Sequence, residues 1–326
     1  MTSRRLAEAA SVLAALLALV ALEAGAQPAR RVHSIGVLNE AWAASHPTVE
    51  GLKAGLRELG LEEGRNLKFD IRFTEGKLDA MPAAAMALAK AGVDLIVTSQ
   101  YAATQAAKDA TTRIPIVFTL LSDPEAAGIV ANPARPEGNV TGVTSLQAEL
   151  VGKRLEILKI LVPSVRRAWV IHDASDPTAT PMVAQALSAG PQLKLDLVPR
   201  GVLTPEDLAL ALRSVRPGDA LLAPETSNLD IPTAILQTSL TARVPAVFTT
   251  ALWVGHGGLV SYGPDYYAHG FQAASLVAKI LRGARPSDVP VEGTDKIDLA
   301  VNLKTADLLG ITVPRKILLR ADAFRR

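Results

Sequence analysis

The residues best placed for chemistry sit just past the ends of short, β-branched runs. Asn39 and Trp42 follow the first run. Ser99, Gln100 and Tyr101 close another and lead straight into a helix-prone segment, and Ser122 and Asp123 follow a third. Further along, Asp173, the pair Glu225 and Thr226, and Trp253 hold corresponding places, while Tyr262 lies on a later glycine-rich stretch. In open α/β sheets, ligands bind beyond the carboxyl ends of the strands. This set offers hydroxyls and free helix N–H groups to a carboxylate, carboxylates to an amine, and large rings to an apolar group. All of these residues are therefore candidate ligand contacts. Each type also has a structural use: Ser99 and Thr104 can cap a helix, Asp123 before Pro124 is a common turn pair, the tryptophans can pack in a core, and Asp173 and Glu225 can be solvated loop charges.

Catalytic constellations are thin by comparison. His33, His46, His172, His256 and His269 show no metal-ligand spacing. There is no G-x-S-x-G elbow, no P-loop, and no G-x-G-x-x-G after the first strand-like run. Gly255-His256-Gly257-Gly258 is similar to an oxyanion-hole loop, but no nucleophile elbow accompanies it. The sequence thus points to binding without catalysis, with no metal and no cofactor.

Positioning these residues requires alternating strands and helices. Residues 32–38, 67–73, 93–98 and 114–119 read as strands, separated by helical spacing at Val49, Leu52, Leu56 and Leu59 and by an Ala-rich segment at 81–90. A second series follows, with strands near 167–172, 193–198, 220–223 and 246–249. Thr204 and Pro205 mark a helix start whose buried stripe is Leu208, Ala211, Leu212 and Val215. Such alternation implies parallel sheets covered by helices on both faces. The two series echo each other: Asp94 and Asp219 open similar apolar strands, each followed by an Arg-x-Pro turn into another, at Pro115 and Pro245. Glycine-rich segments at 138–143 and 257–263 read as extended connectors between lobes. A helix at 265–282, carrying Tyr267, Phe271, Ala274, Ala278 and Leu281 on one side, is expected to pack back on the first lobe. Several crossovers would then form a hinge.

Composition sets the context. The chain has 326 residues and no cysteine, enough for two domains and without thiolate metal sites or disulfides. Arg4 and Arg5, an apolar run at 9–22, and Ala24-Gly25-Ala26 form an export-signal pattern with cleavage near Ala26. The run is shorter than the roughly 20 residues a membrane span needs. Removing 1–26 takes away two positive and two negative charges, so the net charge of +2 is unchanged. That balance, with no basic stretch interleaved with aromatics, gives no reason to invoke nucleic acid.

Longer motifs then carry a family resemblance. Gly258-Leu-Val-Ser261-Tyr262-Gly263-Pro264-Asp265, the stretch from Lys279 to Glu292, and Val301-Asn302-Leu303-Lys304-Thr305-Ala306 resemble ABC-transporter substrate-binding proteins of the tryptophan/tyrosine-uptake type. Ile114-Pro115-Ile116-Val117-Phe118, Ser122-Asp123-Pro124 and Gly138-Asn139-Val140-Thr141-Gly142 fit the same family. The resemblance implies a type I periplasmic-binding-protein fold, with two Rossmann-like lobes, three crossovers and a cleft closed by hinge motion. The lobes are expected at 27–143 plus about 264–290, and at 144–263 plus about 291–326. It further implies delivery of the captured solute to a membrane permease. Together with the loop residues above, this points to a periplasmic, monomeric protein for a small carboxylate-bearing ligand of amino-acid or aromatic type. Two rivals are a ligand-sensing receptor for a signalling partner and an exported α/β enzyme.

Overall fold

The computed structural model describes residues 31–40, 45–226 and 228–325. Trp42 and the export-signal pattern lie outside them. Thirteen strands follow one another along the chain: β1 (His33–Asn39), β2 (Leu67–Phe73), β3 (Leu95–Ser99), β4 (Ile116–Leu121), β5 (Val140–Thr144), β6 (Arg167–Asp173), β7 (Asp196–Val202), β8 (Asp219–Leu222), β9 (Ala246–Phe248), β10 (Val260–Pro264), β11 (Glu292–Gly293), β12 (Ile297–Asn302) and β13 (Ala323–Arg325). They form two sheets, ordered β11-β5-β4-β3-β1-β2 and β13-β12-β10-β9-β8-β6-β7. Pairing is parallel apart from β10 against β12. The first five strands of each half therefore take the same order, which is the two-lobed α/β architecture expected of the sequence.

Helices cover both faces of each sheet. They are α1 (Pro47–Glu58), α2 (Met81–Ala91), α3 (Gln100–Ala110), α4 (Gln147–Leu161), α5 (Ala179–Leu193), α6 (Pro205–Arg213), α7 (Ile231–Ala242), α8 (Ala251–Gly255), α9 (Tyr266–Leu281), α10 (Leu303–Leu308) and α11 (Arg315–Leu318). Each sheet has an aliphatic core on either side, as Val/Ile/Leu-rich parallel strands require. Among the described residues, no helix is long and apolar enough to cross a membrane.

The echo has a physical basis. Asp94 accepts the Ser34 amide at 2.7 Å and a hydrogen bond from Arg31. Asp219 accepts both Arg167 Nε and Nη2 at 2.8 and 3.0 Å, Trp169 Nε1 at 2.9 Å, and the Arg216 amide at 2.9 Å. In each lobe, one carboxylate at the start of the central strand holds the start of its neighbour. The first strand of each lobe is thereby fixed in register.

Several expectations shift. Residues 193–195 are not strand, because α5 runs on to Leu193 and ends at Lys194 in the left-handed region (φ 54°). The segments at 138–143 and 257–263 are not connectors, since β5 and β10 lie within the two sheets. Tyr267 and Phe271 are exposed rather than part of the buried side of α9, which is formed by His269, Gly270, Ala273, Ala274, Leu276 and Val277. Glycine sets that rotation. A Cβ on Gly270 would stand 1.8 Å from the Thr48 carbonyl oxygen, and one on Gly51 1.9 Å from that of Tyr267. α1 and α9 thus touch backbone to backbone, and α9 docks on the first lobe.

The chain crosses between lobes three times, after β5, after β10 and between β11 and β12. The crossings lie side by side. The Thr294 amide donates to the Thr144 carbonyl at 3.0 Å, and the Asp265 amide to that of Lys296 at 3.2 Å, while Lys296 Nζ pairs with Asp265 at 2.7 Å.

Gly270→Ala forces α1 and α9 apart. It is expected to destabilise the protein by about 3 kcal/mol or more, beyond the cost of a typical overpacked core site. Urea unfolding measures this, and a loss below about 1 kcal/mol would contradict the close contact.

Candidate functional site

The carboxyl ends of the two sheets face each other across a cleft that holds a cavity of about 690 Å³. Three first-lobe helices begin at it. His46 and Pro47 at the start of α1, Gln100 at the start of α3 and Tyr266 at the start of α9 all line the cavity. Helix N-termini carry free N–H groups and partial positive charge, so this wall favours an anion. Leu120 joins them because β4 is irregular between Phe118 and Leu121; its left-handed φ of 53° is held by its amide, which donates to buried His269 Nε2 at 3.1 Å.

The second-lobe wall carries Glu225, Thr226, Asp230, Leu236, Leu252 and Trp253. The Trp253 ring stacks on Phe248 at 5.9 Å between centroids and lies 6.0 Å from His256, which gives one end of the cavity an aromatic floor. Glu225 follows the end of β8. Its Oε2 accepts Ser145 Oγ at 2.6 Å and its Oε1 accepts the Tyr266 hydroxyl at 3.1 Å. One carboxylate thus ties a second-lobe loop to residues just past two of the crossings.

Beside the main cavity lies a chamber of about 140 Å³, lined by Glu40, Tyr101, Asp173, Asp176 and Thr226 among others. Beneath it is a hollow of about 30 Å³ where the Ser122 hydroxyl, the Gln147 amide, Arg154 Nη2 and the Thr249 hydroxyl are buried without protein partners. That volume, with this many polar atoms, suits one or two ordered waters. Arg154 Nε donates to the Tyr262 carbonyl at 2.7 Å.

The electrostatics are acidic. Burial pushes the Glu225 carboxyl up to about 7, against the opposing pull of Ser145, the Arg154 charge and the Tyr266 hydroxyl. Burial, followed by the charges of Asp176, Asp173 and Glu225, pushes Glu40 up to about 8. Burial raises Asp176 as well, lowers Arg154 to about 10 and lowers His46 to about 4. Among the described residues, no cluster of His and carboxylate side chains is arranged to hold a metal ion.

The sequence candidates divide accordingly. Asn39, Gln100, Glu225, Thr226 and Trp253 line the main cavity, and Tyr101, Asp173 and Thr226 line the chamber. Ser122 faces the small hollow. Ser99 is buried and engaged within the first lobe, accepting Asn39 Nδ2 at 3.2 Å and bonding Thr119 Oγ1 at 3.0 Å, and it does not cap α3. Asp123 accepts the Ala126 amide at 2.9 Å and lines a surface hollow beside α4 and α5 rather than the cleft. The Tyr262 ring packs against the second-lobe core. Residues missed at the sequence level include Glu40, His46, Arg154, Asp176 and Tyr266. The Pro47 and Asp265 start signals could have drawn attention to His46 and Tyr266.

Comparison with known proteins places this geometry. Residues 41–325 match the sequence profile of the family described as ABC transporter substrate binding protein. A tyrosine-binding protein of Clostridioides difficile (strain R20291) is 26% identical over 287 residues, covering 85% of this chain and 82% of that protein. The ABC domain from Streptococcus pneumoniae in complex with L-Trp superposes with a TM-score of 0.81 at 25% identity, covering 90% of this chain and 99% of that one. The ligand-free, open structure of a Clostridium difficile substrate binding protein with adhesive properties gives 0.68 at the same identity and coverage.

A titration follows from Glu40, which faces Asp173 and Asp176 after β6, Glu225 after β8, and the Tyr266 hydroxyl, with Tyr101 on the same chamber wall. The folded state keeps a proton on Glu40 that the unfolded chain releases above about pH 4.5, so its contribution to stability falls as pH rises toward about 8. Glu40→Gln removes this penalty. The variant is expected to match the wild type at pH 5 and to exceed it by at least about 1 kcal/mol at pH 8.5 in urea unfolding. An equal difference at both pH values would contradict the assignment.

Proposed function

The chain belongs to the ABC transporter substrate binding protein family, and we propose that its cleft captures a small zwitterionic solute of the aromatic amino-acid type for a membrane permease. The observation that carries this reading is the division of charge across the cavity. One wall presents the N-termini of α1, α3 and α9, while the other presents Glu225 and, at its far end, Trp253. An α-amino acid has its carboxylate, its ammonium and its apolar body in matching places. The tyrosine-binding relative and the relative in complex with L-Trp fit the same description.

In this reading, Gln100 and the neighbouring helix amides hold the carboxylate, the acids on either side of Thr226 meet the ammonium, and Trp253 packs on the side chain. The first lobe comprises β1–β5 together with α9 and β11, and the second comprises β6–β10 together with β12 and β13. Only the closed arrangement brings both walls onto the ligand, so binding draws them together. The protein acts as an exported monomer, cleaved near Ala26, and performs no chemistry on its cargo. Its side chains supply orientation and charge.

L-Tyrosine or L-tryptophan at a hundredfold excess over Kd should stabilise the protein by about 2.7 kcal/mol, read as a rise in melting temperature. Trp253→Ala should weaken that binding at least about tenfold, the loss expected of a buried aromatic anchor. If neither amino acid shifts the melting of the folded protein, the reading fails.

A further inference from the structure

The chamber beside the main cavity concentrates acid without matching base. Glu40, Asp173 and Asp176 line a space of about 140 Å³, and among the described residues no Lys or Arg lines it with them. Two of the three are already engaged. Asp173 accepts the Ser175 amide and hydroxyl at 2.8 and 2.6 Å and Asn228 Nδ2 at 2.8 Å. Asp176 accepts the Thr178 amide and hydroxyl at 2.8 and 2.7 Å. Glu40 is only 4% exposed, and among the described residues its carboxylate has no hydrogen-bond donor.

A buried carboxylate in that condition must either keep a proton or meet a cation. Arg154 belongs to the hollow beneath, where its Nε is bonded to the Tyr262 carbonyl. That hollow shares Asp173, Asp176, Glu225 and Thr226 with the cleft and adds the buried, unpartnered hydroxyls of Ser122 and Thr249. Tyr101, also on the chamber wall, adds an aromatic side chain to the lining. Thr226 lines both the chamber and the main cavity, so a cationic group can enter one while an apolar body occupies the other.

We propose that this chamber is an amine subsite with Glu40 as its specificity-determining residue, so that the cleft also accepts arylalkyl amines that carry no carboxylate. The inference rests on the solute-binding reading of the cleft and names the part of the cargo that decides recognition. The cation is required, and the carboxylate adds affinity without being essential. Glu40 closes the chamber from the first lobe and Asp173 and Asp176 from the second, so the ammonium is enclosed by both lobes at once.

Calorimetric titration of the full-length mature protein with three probes tests this: L-tyrosine, tyramine, and 3-(4-hydroxyphenyl)propionate. Tyramine is expected to bind within about tenfold of L-tyrosine and the propionate at least about a hundredfold more weakly, since it would leave the acidic groups without a counter-charge. Glu40→Gln should weaken both amines at least about tenfold, as loss of a charge-assisted contact does. Asp176→Asn serves as a second variant should Glu40→Gln unfold. If L-tyrosine binds but tyramine does not, or if both variants bind the amines as the wild type does, the amine subsite is overturned while the solute-binding reading stands. If no probe binds the folded protein, both fall together.

Discussion

One buried carboxylate holds the cleft together. Glu225 belongs to the loop after β8 of the second lobe, yet its two oxygens accept hydroxyls from Ser145 and Tyr266, which follow two separate crossings between lobes. Arg154 supplies the nearby positive charge and is itself fixed to the carbonyl of Tyr262 on β10. Burial makes such an arrangement sensitive, because every oxygen deprived of a donor loses its compensation for lost water. The site and the hinge are therefore the same set of atoms. Whatever changes the surroundings of Glu225 also changes how the lobes meet.

The first lobe is built to bring helix ends to that point. Backbone contact between α1 and α9, allowed by Gly51, Gly55 and Gly270, draws His46 and Tyr266 to the cavity wall, where their rings lie 5.4 Å apart. Here packing and electrostatics serve one purpose. A close helix crossing in the core fixes where positive helix ends emerge, and the second lobe sets its acids opposite them.

Much of this was legible in the residues. Alternating apolar runs and helical spacing predict the two sheets, since parallel strands buried on both faces are almost continuously Val, Ile and Leu. The echo of Asp94 and Asp219 reflects the same structural job in each lobe. Thr204 caps α6 as its spacing suggests, and Asp207 completes a reciprocal capping box. What stayed hidden depends on convergence. Asp173 and Glu225 each read alone as a solvated loop acid, Glu40 and Asp176 carry no signal of their own, and only the fold shows the four around one cleft. Ser99 and Tyr262 illustrate the reverse. Their types suit ligand contact, but the Thr119 neighbour of one and the strand alternation of the other turn the side chains inward.

The central claim is that a solute draws the two walls together across Glu225. The chain has no cysteine, so paired spin labels can be placed selectively. Labels at Lys77→Cys and Thr180→Cys, exposed positions on the first and second lobes, report the separation by pulsed electron resonance. The account predicts a shorter and narrower distance distribution with saturating L-tyrosine than without it. An unchanged distribution under conditions where L-tyrosine demonstrably binds would contradict it.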